Sequence, residues 1–227
     1  MSPQVKSKQR VADHGEVFTA EREVKAMCDL VYNETVQISS TFLEPACGDG
    51  NFLAEILDRK LQCSAMKRYK KSAYDWERNS LLILGSLYGV DILYDNVLAC
   101  RERLFTLWNK EYKKVCKKEC NDDTRAAAQF ILSRNIVCGN ALTYRCVSED
   151  GTETGEPIVF AEWSFPRNDA FIYRRDYSFD ELVNGPQKPD DGHDKQLGLF
   201  DHDDTPNDEG EFIQEYKCHY RRLGDNE

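Results

Sequence analysis

The sequence predicts an α/β fold, a layered sheet whose strands are joined by crossover helices. Three observations predict it. Short apolar runs bounded by turn residues recur at "TFLE", "LYGVDI" and "NIVCGNAL". Stretches with helical apolar periodicity alternate with them. A glycine-containing loop, "PACGDG" (45–50), sits where the first strand should pass into a helix.

Residues 1–13 are polar and predict a flexible N-terminus. In "GEVFTAEREVKAMCDLVYNE", Thr19 is placed to cap a helix and Glu21 and Glu23 suit its positive first turn, while Val24, Met27, Cys28 and Val31 form an apolar stripe. "TFLE" follows as a strand, then the loop, then a helix "NFLAEILDRKLQC" burying Phe52, Leu53, Ile56, Leu57 and Leu61. Residues 64–80 look like a polar insertion. A second strand is expected over Leu87–Ile92, a helix from about Asp95, a further helix near 126–134 and a third strand in "NIVCGNAL". Beyond it, "CVSEDGTETGEPIVFAEWSF" suggests a hairpin and "IYRRDYSFDELV" an extended segment ending in a helical turn. From Asn184 onward Gly, Pro and Asp dominate, which predicts a main domain over 14–183 and an acidic, mostly disordered tail over 184–227.

The formal charge is −10. Residues 180–227 carry 14 acids against 5 Lys and Arg, whereas the first 179 residues are almost balanced, so the body is free to carry a basic face. Basic residues cluster in "RKLQCSAMKRYKK" (59–71) and at Arg101, Arg103, Lys110, Lys113, Lys114, Lys117 and Lys118, with Tyr69, Tyr74 and Trp108 interleaved. That pattern fits either a phosphate-backbone surface or solvated helix faces. No apolar run approaches a membrane span and the first residues lack a secretory apolar block. Nine cysteines without a disulfide or zinc-knuckle spacing fit reduced thiols and a cytoplasmic location, and no metal site is expected.

The glycine loop is the most informative stretch. Gly48 and Gly50 permit positive φ or close approach between a strand and a helix, where ligands of parallel sheets lie beyond the carboxyl ends of the strands. The third glycine of a dinucleotide fingerprint and the Gly-Lys-Ser/Thr of a triphosphate loop are both missing. Asp49 puts a carboxylate in the loop, better suited to an ammonium than to a pyrophosphate. A plain tight turn is the alternative. Asp91, at the end of the second strand, is placed to accept the two hydroxyls of a ribose, or else to cap a helix. Asn140, at the third strand end, offers an amide that can match an adenine edge.

Taken in order, "HGEVFTA" (14–20), "FLEPACGDGNFL" (42–53), "YGVDI" (88–92) and "CGNAL" (138–142) resemble the cofactor motifs of S-adenosylmethionine-dependent DNA adenine-N6 methyltransferases of restriction–modification systems. The resemblance implies a class I methyltransferase-like, Rossmann-like sheet with helices on both faces. It implies that S-adenosyl-L-methionine is bound with Phe18 and Thr19 at its methionine end. Glu44, Ala46, Gly48 and Gly50 would surround the amino-acid moiety, with Asp91 on the ribose and Asn140 facing adenine. Members of this family flip the target base out of DNA. Their Pro-Pro-Tyr-type catalytic motif is missing: the chain has no Pro-Pro pair, and "EPIVFAEWSFPRND" stands where it is due, so the catalytic residues are unknown. Glu162, Trp163, Phe165 and Asn168 could contact a base, or Trp163 and Phe165 could be core. The chain therefore resembles an incomplete enzyme that needs a second methyltransferase or specificity subunit, or an inactive module of the same fold. In the tail, Gln196, Leu197, Leu199 and Phe200 of "QLGLF" resemble a bacterial sliding-clamp binding motif.

Overall fold

The computed structural model describes residues 10, 19–167, 169–184 and 213–223. Its centre is a mixed α/β layer. Strands β1 (Phe42–Glu44), β2 (Leu87–Asp91) and β3 (Ile136–Asn140) run parallel, with Phe42 beside Leu87 and Gly89 beside Ile136. β4 (Arg145–Val147) and β5 (Glu153–Pro157) continue the sheet antiparallel beyond β3, giving the spatial order β1-β2-β3-β4-β5. A second sheet holds β6 (Val159–Ser164), β7 (Phe171–Ser178) and β8 (Gln214–His219), all antiparallel.

The helices that flank the central sheet are α1 (Glu21–Leu30), α2 (Tyr32–Thr35), α3 (Asn51–Gln62), α4 (Ser64–Tyr69), α5 (Ala73–Gly85), α6 (Tyr94–Cys116) and α7 (Asp122–Asn135), while a short α8 (Phe179–Asn184) follows β7. Several begin as their sequences dictate. Ser72 accepts from the Asp75 N–H to cap α5, and Asn121 accepts from the Thr124 N–H at 2.8 Å to cap α7. One helix start differs from expectation. The cap of α1 is Ala20, with no side-chain cap, so Thr19 does not serve as its N-cap. Of the expected α1 stripe, Val24 and Cys28 are buried, but Met27 and Val31 remain about half exposed.

The polar stretch 64–80 is not an insertion but α4 and the first half of α5, and it contributes Met66 and Trp76 to the core. Trp76 stacks on Tyr112 at 5.7 Å between ring centroids, and Trp108 stacks on the same tyrosine at 4.9 Å. Around these rings lie Leu57, Leu61, Leu81, Leu84, Leu104 and Ile131. Polar residues are buried there because they meet one another. Glu77 is fully buried and accepts from Tyr112 Oη, Asn121 Nδ2, Tyr220 Oη and Arg221 Nη2, the last at 2.7 Å.

Those contacts carry folded structure past residue 183. The segment expected to belong wholly to a disordered tail contains β8, which pairs with β7 in register from Phe171/His219 to Asp176/Gln214. The 3₁₀ turn Tyr220–Arg222 then inserts Tyr220 against Glu77. Gln196–Phe200 lie outside the described residues. Among the described residues no helix is long and apolar enough to cross a membrane.

Candidate functional site

β1, β2 and β3 end at the same side of the sheet, because they are parallel and paired Glu44/Gly89 and Asp91/Cys138. The glycine loop leaves β1 there. The Cys47 N–H donates to the Val90 carbonyl at 2.9 Å, which holds the loop over the end of β2. Gly48 and Gly50 both adopt positive φ, 53° and 86°. At Gly50 a Cβ would fall 2.7 Å from Cys100 Sγ of α6, so this glycine is required by the protein's own packing as well as by its backbone. α3 begins at once, and Pro45 and Ala46 are exposed while Gly48 and Asp49 are half-buried.

Asp91 joins two motifs that lie 43 residues apart. Its Oδ2 accepts from the Gly48 N–H at 2.9 Å. Its Oδ1 accepts from the Leu93 N–H at 2.9 Å and from Asn96 Nδ2 at 3.2 Å. The capping alternative is seen in the bond from Leu93, which starts α6, and Asp91 also braces the glycine loop, a contact the sequence did not predict. A carboxylate offers about four acceptor positions. Three are filled within the described residues, so Asp91 retains room for one further donor rather than the two expected of a ribose diol.

Glu44 ends β1 half-buried. Burial pushes its carboxyl above the usual range, against which a bond from the backbone of Ala46 acts only in part. A cation placed here would favour its ionised form. Asp49, by contrast, is not a free carboxylate. Arg103 of α6 pairs with it at 2.7 Å and also donates to Asn51 Oδ1, clamping the start of α3. Asn140 sits at the end of β3, but its Oδ1 accepts from the Leu142 N–H at 3.0 Å in a local turn, which leaves the amide nitrogen for another contact. Thr19 lies beside the loop, its carbonyl accepting from Asn51 Nδ2 at 3.4 Å. Phe18 falls outside the described residues. Glu44, Ala46, Gly48, Gly50 and Asp91 are therefore one local cluster, Thr19 touches its rim through Asn51, and Asn140 shares its side of the sheet.

The base-contact candidates sit elsewhere. Trp163 packs on Gly85 and donates to Asn135 Oδ1, and Phe165 lies against Tyr220 and the Arg78 guanidinium. Both are part of the packing around the second sheet. Glu162 is exposed and accepts from Tyr177 Oη, and Asn168 is outside the described residues.

Several expected surface cations have internal tasks. Lys60 is buried, donating to Ser86 Oγ at 2.7 Å and to the Ser40 carbonyl. Burial lowers its pKa to about 7. Arg59 pairs with Glu55 and Asp29, and Arg101 donates to the carbonyls of Ser133 and Ile136. Sequence reasoning missed Glu77 and Lys60 as buried groups, since their partners are 20 to 144 residues distant. Cys47, one of the cysteines read from sequence as reduced thiols, is free and buried. Its thiol is within reach of the Gly48 carbonyl at 3.7 Å, and the neighbouring Cys100 thiol and burial beneath the loop hold it protonated. Among the described residues, no three His, Cys, Asp or Glu side chains gather where they could hold a metal ion.

No family model matches the chain, and neither the curated proteins nor the solved structures include a match.

Proposed function

We propose that this chain is the cofactor-binding part of an S-adenosylmethionine-dependent DNA adenine-N6 methyltransferase, with a Rossmann-like core that a second polypeptide completes. The observation that carries the reading is the bond from the Gly48 N–H to Asp91. It makes one site of the two motif blocks that most resemble the family. The residues fit the cofactor: Glu44 is a half-buried carboxylate raised by desolvation and suited to an ammonium, and Asp91 keeps one acceptor for a ribose hydroxyl. When bound, S-adenosylmethionine supplies an electrophilic methyl group. Gly48 and Gly50 shape the bend, Ala46 and Thr19 line its approach, and the Asn140 amide nitrogen remains able to meet a ring nitrogen of adenine. Phe18 is assigned to the methionine end by resemblance alone.

The need for a partner rests on two observations. The chain lacks the Pro-Pro motif that would orient the target amine, and Trp163 and Phe165 are occupied in packing. In addition, β1 ends the sheet among the described residues. Strands of parallel sheets are ordinarily covered, and β2 is buried throughout, yet every residue of β1 is only half-buried. Beside it runs an apolar groove of about 230 Å³ lined by Met27, Val31, Phe42, Leu43, Phe52 and Ile56. A strand from a second subunit would satisfy the open side of β1 and cover this groove. By the same resemblance, Gln196–Phe200 is proposed to dock on a bacterial sliding clamp.

The alternative is a catalytically inactive binding or regulatory module of the same fold, favoured by the missing motif. Transfer of a labelled methyl group to DNA distinguishes them. Activity that appears only on adding a subunit carrying the Pro-Pro motif supports the split enzyme. Cofactor binding without transfer, whatever subunit is added, supports the inactive module.

A further inference from the structure

The second sheet carries a feature that the cofactor site does not explain. An open cleft of about 600 Å³ lies between the end of β7–β8 and the start of α7, lined by Phe171, Lys217, His219, Arg221, Arg222 and Asp123. In a chain of net charge −10, its lining carries three permanent cations against one acid. Arg221 is committed to Glu77 at 2.7 Å. Lys217 and Arg222 are exposed, and neither has a carboxylate within ion-pair distance among the described residues. Lys217 Nζ lies 5.2 Å from the Phe171 ring centroid and 5.1 Å from that of Tyr173. His219 accepts from the Arg221 N–H through Nδ1, so its neutral tautomer keeps Nε2–H as a donor. Burial, then the charges of Arg221 and Arg222, hold this imidazole below its ordinary pKa.

Two exposed cations, one of them lying over the Phe171 and Tyr173 rings, a neutral N–H donor and a partly exposed aromatic ring form a chemically specific set. Phe171 is 42% exposed, with His219 edge-on at 6.3 Å. Cations and N–H donors alone would suit any polyanion, including an acidic peptide. A partly exposed flat ring beside them matches a ligand that alternates phosphate with a planar base. We propose that this cleft binds single-stranded nucleic acid, with Lys217 and Arg222 on consecutive phosphodiesters and an unpaired base stacked on Phe171. The segment is rigidly seated for this role, because Tyr220 and Arg221 both bond to the buried Glu77. This site is independent of cofactor binding and survives if that reading fails.

Fluorescence anisotropy of the full chain with a labelled short oligothymidylate, over a series of salt concentrations, tests it. The double change Lys217→Glu/Arg222→Glu should weaken binding by about tenfold or more and make the salt slope shallower by about 1.4, as two lost contacts to a single strand predict. Phe171→Ala should cost about fivefold with the slope unchanged. Circular dichroism of both variants should match the wild type, since the altered side chains are not core. Three results overturn the proposal: no binding by the wild type at low salt, equal binding by the double variant, or displacement by polyglutamate as effective as by unlabelled oligonucleotide of the same charge.

Discussion

Two buried carboxylates organise different regions of this molecule, and they differ in how completely they are used. Glu77 has no exposure and accepts from four side chains on α6, the turn before α7 and the C-terminal 3₁₀ turn, one of them a guanidinium. Asp91, 9% exposed, accepts from two backbone N–H groups and one amide, and keeps an acceptor position toward the loop side. A saturated carboxylate is architecture, because every acceptor it has already holds the chain. An unsaturated one beside a glycine bend is where the proposed cofactor would find an acceptor. The same contrast separates β2 from β1: one strand is covered along its length, the other only half-buried at the end of the sheet.

The largest expected effect breaks the saturated side. Glu77→Ala leaves Arg221 and two tyrosine hydroxyls without their acceptor and should cost about 3–5 kcal/mol in urea unfolding. Hydrogen exchange should show β8 opening first, with cofactor affinity little changed in the protein that remains folded. Gly50→Ala follows at about 1–3 kcal/mol, since it combines φ of +86° with a Cβ 2.7 Å from Cys100 Sγ. Adding Cys100→Ala should recover the part due to the clash but not the part due to the backbone, as thermal melting of the single and double variants would show.

Asp91→Asn sharpens the comparison. It turns one acceptor toward N–H donors and should cost about 1–2 kcal/mol, but its loss of cofactor affinity should exceed its loss of stability. Glu77→Gln should do the reverse. The smallest effect is one of pH. The Lys60 ammonium has its pKa lowered to about 7 by burial, from 10.5. Between those values the native state binds fewer protons than the unfolded chain, so this group's contribution to stability rises with pH and is lost as pH falls toward 7. The stability of the wild type relative to Lys60→Met should therefore improve steadily from pH 7 to pH 9 in urea titrations, and be flat below pH 7.

Much of the architecture was legible because it is written in local pattern. The apolar periodicity of 51–62 and the β-branched or aromatic runs at 87–91 and 136–140 need no distant partner to be read. What escaped was polar residues buried by long-range pairing. Glu77 and Arg78 made 64–80 look like surface, because their partners Tyr220, Arg221 and Phe165 are remote. Lys60 looked like a contributor to a basic face, although its stem runs through the core to the Ser40 carbonyl. β8 reads "QEYKCH" with little apolar signal, and its strand character comes from pairing with β7. At the site, sequence order brought Glu44, Gly48, Gly50 and Asp91 together. It could not reveal that Asp91 spends three acceptors on the protein, or that Arg103 neutralises Asp49.

Isothermal calorimetry of the full chain with S-adenosylmethionine and with its demethylated product tests the central claim most directly. The account predicts saturable binding of both with one site, lost in Asp91→Ala, weakened in Glu44→Gln, and declining in the wild type as pH falls through the raised pKa of Glu44. Absence of both heat and thermal shift in the wild type, or affinity indifferent to Asp91 and Glu44, would contradict it.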